Sequence, residues 1–136
     1  MEIKTVTYTY EAKPITLNKY RTLHHRVWGP INKEWRTAFF YLAKRNLVQF
    51  TGLVDVVVRH EVKKGVLADT SAIVACYKAG QDGCKDAGVI VDDSPKYVRN
   101  VTFLRPEKSD KDALSITFVE VLKDSRFVSS SFQTIL

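Results

Sequence analysis

Two hydrophobic periods alternate along this chain, and that alternation limits the fold more than any other feature. Runs rich in β-branched and aromatic residues are separated by segments whose apolar residues recur every three or four positions. Ile3 to Tyr10 (IKTVTYTY) sets Val6, Tyr8 and Tyr10 against threonines and reads as a first strand. Pro14 ends it. The stretch Leu17 to Pro30 has no clean period and reads as a long basic loop carrying Tyr20, His24, His25 and Trp28. A helix is predicted from Asn32, a plausible N-cap, with Ile31, Trp35, Ala38, Phe39 and Leu42 on one stripe. Phe50 to Val62 predicts a second strand buried in its middle. Asp69-Thr70-Ser71 offers capping residues for a second helix running to Ala87, with Gly88 at its left-handed C-terminal position. Val89-Ile90-Val91 is at most a strand fragment, and Asp92-Asp93-Ser94-Pro95 a turn. Tyr97–Leu104 and Ala113–Val121 predict two more strands, joined by a charged hairpin loop over Arg105–Asp112. The expected architecture is one small α/β (α+β) domain over residues 1–136, with a mixed sheet of about four strands and two main helices. Its core lies in about 1–121. The tail, 122–136, is Ser-rich from Ser125 and either docks on a partner or frays.

A domain of 136 residues buries roughly two thirds of its unfolded surface, so no disulfide or structural metal is needed. No apolar run approaches the roughly 20 residues that span a bilayer, and the first residues lack the apolar stretch of a secretory signal. No membrane partner is expected. Cys76 and Cys84, with no His nearby, do not make a zinc site and read as reduced thiols of a cytoplasmic protein. The net charge of +6 hints at a polyanionic partner, and its distribution says more. Residues 1–66 carry twelve Lys and Arg against five Asp and Glu, whereas residues 67–136 carry nine against ten. A basic front half would hold phosphates and an acid-rich back half a catalytic metal; an uneven but solvated surface accounts for the same split.

The chemistry-bearing residues concentrate in that back half. Lys78 and Asp82 are four apart on the second helix, and Ser71, seven before Lys78, shares their face. Asp69 stands at the helix start, where the dipole favours an anion. Asp92 and Asp93 follow a short segment that can return beside the helix. Carboxylates converging near one lysine suit a hard divalent cation such as Mg²⁺, which takes one or two carboxylates, waters and substrate phosphates. The same residues serve equally well as an N-cap, an exposed helix pair and a turn, and spacing alone does not choose.

The run Ala68-Asp69-Thr70-Ser71-Ala72, through Lys78, Asp82-Gly83 and Asp86-Ala87-Gly88-Val89-Ile90, to Asp92-Asp93-Ser94 resembles the RusA-type Holliday junction resolvases common in phages. That family's pattern is Asp-x-Asp-Asn, a Lys on the following helix, then Asp-Gly-Leu-x-x-Ala-Gly-Val-Ile-x-Asp-Asp-Ser. Upstream, Leu17-Asn18-Lys19-Tyr20-Arg21 to His24-His25, then Lys33-Glu34-Trp35-Arg36, is similar to the family's Asn-x-x-x-x-His segment and first helix. The resemblance covers roughly residues 12 to 121. It implies a Mg²⁺-dependent (or Mn²⁺-dependent) endodeoxyribonuclease that resolves four-way junctions and other branched DNA as a homodimer, in recombination, repair or phage DNA processing. It implies Asp69, Lys78 and Asp93 as catalytic residues and Asp69, Asp92 and Asp93 as metal ligands, with Asp82 and Ser71 in support. The match has a gap: Ser71 stands where the family has its second Asp, and Ala72 where it has Asn. A serine brings no negative charge, so the alternative is a cleavage-impaired protein that still binds branched DNA.

The DNA-facing surface is expected in the basic front half. Lys19, Arg21, Arg26, Lys33, Arg36, Lys63 and Lys64 would contact phosphates, which positions DNA without reading its sequence. His24 and His25 would bond phosphates or cap the loop. Tyr20 and Trp28 would stack on an unpaired base or, for Trp28, pack into the core. A weaker third reading is a structural or partner-binding protein with no role on nucleic acid.

Overall fold

The computed structural model describes residues 3–122, and the tail from Ser125 lies outside them. In chain order the elements are β1 (Thr5–Tyr10), α1 (Leu17–Thr22), α2 (His25–Arg45), β2 (Val54–Val62), α3 (Val74–Ala87), β3 (Val98–Phe103), β4 (Glu107–Lys108) and β5 (Ala113–Glu120). The sheet runs β1-β5-β2-β3, with β4 paired to β2. β1 and β2 flank β5 antiparallel, while β3 and β4 lie parallel to β2. This is the mixed sheet of a small α+β domain, as the alternating periods require.

β2 organises the sheet because it is buried at nearly every position and takes partners on both edges. That pairing overturns the expected hairpin between the last two long strands. β3 takes one edge of β2, and β4 continues along it, pairing Glu61 with Glu107 and Val62 with Lys108. The chain then passes the end of β2, where Asp112 Oδ1 accepts the Lys63 N–H at 3.0 Å. It returns as β5 on the other edge. β1 closes the sheet with Val6 and Tyr8 inward, while Thr7–Thr117 and Thr9–Ser115 hydroxyl pairs, each 2.8 Å apart, lie on the outward face.

α2 and α3 cover the inward face. Trp35, Phe39 and Ala43 of α2 meet Cys76, Tyr77, Cys84 and Ala87 of α3 over Val54, Val56, Val58, Ile116 and Phe118. The two helices touch backbone to side: a Cβ at Gly83 would lie 2.1 Å from the Arg36 carbonyl oxygen. Both thiols are buried and free, and burial pushes Cys76 up to about 11 and Cys84 up to about 12, so neither is a thiolate nucleophile.

The expected long loop before Asn32 is helical instead. α1 occupies Leu17–Thr22 and α2 begins at His25, with Pro30 inside it. A proline in the second turn removes one helical hydrogen bond. The turn is held by tertiary contacts, because Trp28 packs on Tyr20 at 5.6 Å and Asn32 Nδ2 donates to the Tyr20 hydroxyl at 2.9 Å. The helix expected after Asp69-Thr70-Ser71, α3, also begins later than those capping residues suggest. Residues 70–73 form turns ahead of Val74, and no side chain caps the helix. Its C-terminus is as expected, with Gly88 left-handed at φ 100°. Val89-Ile90-Val91 forms no strand.

Candidate active site

Lys78 projects from the second turn of α3 with about half its side chain exposed. Beyond Gly88 the chain reverses, because Val89 and Ile90 are buried and Val89 is tied at both ends. Its N–H donates to Cys84 O at 3.0 Å, and its carbonyl accepts from Phe50 N at 2.8 Å. This anchoring delivers Asp92 and Asp93 to the flank of α3. Lys78 Nζ stands 2.5 Å from Asp93 Oδ2 and 3.4 Å from Asp82 Oδ1. Lys85 Nζ stands 3.3 Å from Asp92 Oδ1 and 3.9 Å from Asp93 Oδ1. Two lysines and three carboxylates therefore alternate in one chain of ion pairs.

Charge is held in place there. The bond from Lys78 pulls the Asp93 carboxyl below its ordinary range, against a smaller opposing effect of burial. Burial works against the Lys78 ammonium, but the bond to Asp93 and the nearby Asp82 outweigh it and raise that group. Because both side chains reach solvent, each such pair contributes only a few tenths of a kcal/mol to stability. The cluster is positioned at little energetic gain.

The structure thus brings together Lys78, Asp82, Asp92 and Asp93. It leaves Asp69 and Ser71 exposed on the turn before α3, where they serve through their backbones: Asp69 O accepts from Ala72 N at 2.9 Å and Ser71 O from Val74 N at 3.2 Å. Among the described residues no three His, Cys, Asp or Glu side chains form a group that could hold an ion, so Asp69, Asp92 and Asp93 are not gathered as a trio. Asp92 and Asp93 alone remain as a pair, and their chemistry fits Mg²⁺, which needs only one or two carboxylates beside waters and phosphates. One ammonium, that of Lys85, already lies between them. Lys85 was missed in the sequence, although its position seven after Lys78 puts it on the same helix face.

Two clefts open on either side of α1. One, of about 430 Å³, is lined by Tyr20, Asn32, Lys33, Arg36, Lys78 and Asp82 and joins the basic residues of α2 to the charged cluster. The other, of about 400 Å³, takes Lys19 and Lys64 from the expected DNA surface and adds Lys13. Arg21, Arg26 and Lys63 are exposed on the same front half. Arg36 is committed elsewhere: its Nε and Nη2 grip Asp86 at 2.6 and 3.0 Å, which ties α2 to α3. His24 is a cap, its Nδ1 accepting from Arg26 N at 3.2 Å at the start of α2, with the His25 ring 4.0 Å away. Tyr20 and Trp28 pack against each other with their rings tilted by 32°.

Fold and site together define a small α+β domain with a lysine–carboxylate cluster beside basic clefts. The chain matches no model of a known protein family, and a search of curated proteins finds no match to it. Among the described residues no helix is long and apolar enough to cross a membrane.

Proposed function

We propose that this protein is a Mg²⁺-dependent endonuclease that hydrolyses phosphodiesters in branched DNA, four-way junctions above all. The observation that carries the reading is the 2.5 Å Lys78–Asp93 pair, flanked by Asp82 and Asp92, with Lys78 and Asp82 lining the same cleft as Lys33. The resemblance to RusA-type resolvases in the same residues supports it. Lys33 and the exposed cations of the front half bind and orient the phosphate backbone. Lys78, kept charged by its carboxylates, exchanges Asp93 for a phosphoryl oxygen and stabilises the charge that develops there. Asp92 and Asp93 would hold Mg²⁺, which when bound supplies further positive charge to the reacting phosphate. Paired incisions across a junction need two sites related by a two-fold axis, so the active species is a homodimer acting in the cytoplasm of a bacterium or an infected host.

A second reading is favoured by one feature, the Ser71-Ala72 gap together with the separation of Asp69 from the Asp92–Asp93 pair. It is a branched-DNA-binding protein of the same fold with impaired cleavage. A labelled four-way junction incubated with the protein and Mg²⁺ separates the two. The nuclease reading expects paired, metal-dependent nicks, and a loss of about a hundredfold in rate for Lys78→Gln with junction affinity retained. The Asp93→Asn protein should also fail to nick. Tight junction binding without any metal-dependent nicking by the natural protein would establish the second reading instead.

A further inference from the structure

The cleft on the far side of α1 contains a group that neither the sequence nor the cluster at Lys78 explains. His60 continues the inward row Val54, Val56, Val58 of β2 and is 6% exposed. His60 lines this cleft, yet its Nδ1 is buried and has no hydrogen-bond partner among the described residues. Buried ring nitrogens are nearly always paired, so an orphan at the edge of a cleft points to a partner that arrives from the cleft.

The rest of the lining fixes what that partner is. Lys13, Lys19 and Lys64 reach the cleft from three different segments, and among the described residues none of them is in an ion pair. Asp112, the one carboxylate among the described lining residues, already accepts the Lys63 N–H. Three cations facing one engaged carboxylate favour an anion. Ile15 and Val62 supply an apolar wall, which suits a sugar or a base more than bulk water.

We propose that this cleft is a subsite for one nucleotide of a DNA strand, with Lys13, Lys19 and Lys64 on its phosphate and the His60 imidazole bonded at its floor. The assignment rests on the nucleic-acid reading above and deepens it. Lys19 and Tyr20 are neighbours on α1 and line opposite clefts, so a strand crossing α1 would have one nucleotide at His60 and another at Lys78. Burial lowers the His60 imidazole, with Asp112 opposing in part, so the ring is neutral at pH 7. A neutral ring offers one N–H donor and one acceptor.

The test uses a fluorescein-labelled single strand of ten thymidines, followed by anisotropy over a salt titration, with the full chain. Lys13→Gln and Lys64→Gln change exposed residues and should leave the fold intact. Each should weaken binding roughly tenfold at low salt and lower the slope of log affinity against log salt by about one. In parallel, the imidazole signal of His60 is followed by NMR in the natural protein as the strand, thymidine monophosphate or inorganic phosphate is added. The strand should shift it, and should do so at lower concentration than either small molecule. If the strand binds with unchanged affinity and slope in both variants and the His60 signal stays still, the subsite is overturned while the nucleic-acid reading stands. If no strand binds at low salt, the subsite falls, while the branched-DNA reading is decided separately by the labelled four-way junction. If phosphate alone moves His60 as readily as the strand does, the cleft takes a free anion and the strand assignment is wrong.

Discussion

Asp55 lies in a run of valines on β2 and is 5% exposed, a costly place for a carboxylate unless it is paired. Arg99 of β3 reaches it with both faces of its guanidinium fork, Nε at 2.9 Å from Oδ1 and Nη2 on Oδ2. Removing only the cation would strand a buried charge, so Arg99→Met should cost about 3 kcal/mol. Replacing both partners, Asp55→Leu with Arg99→Met, should recover most of that loss. Urea unfolding of the two variants checks this, and equal midpoints for them would show that Asp55 is not held by Arg99. The residue scale is also where the sequence is most uneven as a guide. Lys78–Asp82 was legible because four residues make one helix face, and Asp93 was a candidate because the short segment before it can return beside that helix. Asp55–Arg99 and the orphaned His60 were not, since each depends on which strands become neighbours.

At the scale of elements, the contact between α2 and α3 turns on one glycine. Alanine at position 83 gains roughly 1 kcal/mol in helix propensity. Its methyl would meet the Arg36 carbonyl oxygen at 2.1 Å and the Phe40 amide nitrogen at 3.0 Å, and backbone does not move aside as a side chain can. The clash wins, and Gly83→Ala should destabilise by a net 1–3 kcal/mol, about the cost of overpacking. Gly80→Ala is the control. Its methyl would meet side chains, Phe39 at 2.8 Å and Ile116 at 3.0 Å, and should cost less. If Gly80→Ala proves the more damaging in urea unfolding, the helices do not meet at position 83 as closely as described. The existence of β1, α2, β2, α3, β3 and β5 was read correctly from the two periods, and the end of α3 from Gly88, whereas α1 and β4 fell in stretches read as loops. The start of α2 was misread because Leu17 to Pro30 shows no clean period, whereas the Tyr20–Trp28 contact holds that turn helical. The last two strands were misjoined because loop length cannot report that β2 needs partners on both edges.

Over the whole molecule, the division of charge between the halves of the sequence does not survive as two territories. Front-half Lys33 and back-half Lys78 line one cleft, and Lys13 and Lys19 share the other with Lys64. Folding gathers the cations around α1 and leaves the carboxylates to answer them, as in Lys78–Asp93 and Arg36–Asp86. The pH dependence of stability follows from the groups so engaged. His60 is lowered in the folded state, so below about pH 6.5 the unfolded chain takes up a proton that the native ring resists, and stability falls as pH drops. Asp86 and Asp93 are also lowered, through Arg36 and Lys78 respectively; their contribution is present above the ordinary carboxylate range and is lost as pH falls through their folded values. Both carboxylates are about a third exposed, so their step should be the shallower one despite there being two of them. The urea midpoint, followed from pH 8 to pH 3, should therefore hold level to about pH 6.5, decline through the histidine range, and decline again below about pH 4. His60→Gln should abolish the first decline and keep the second. A midpoint that stays level between pH 7 and pH 5 in the natural protein would mean that the His60 ring accepts its proton freely in the folded state, and so is not buried at the floor of its cleft.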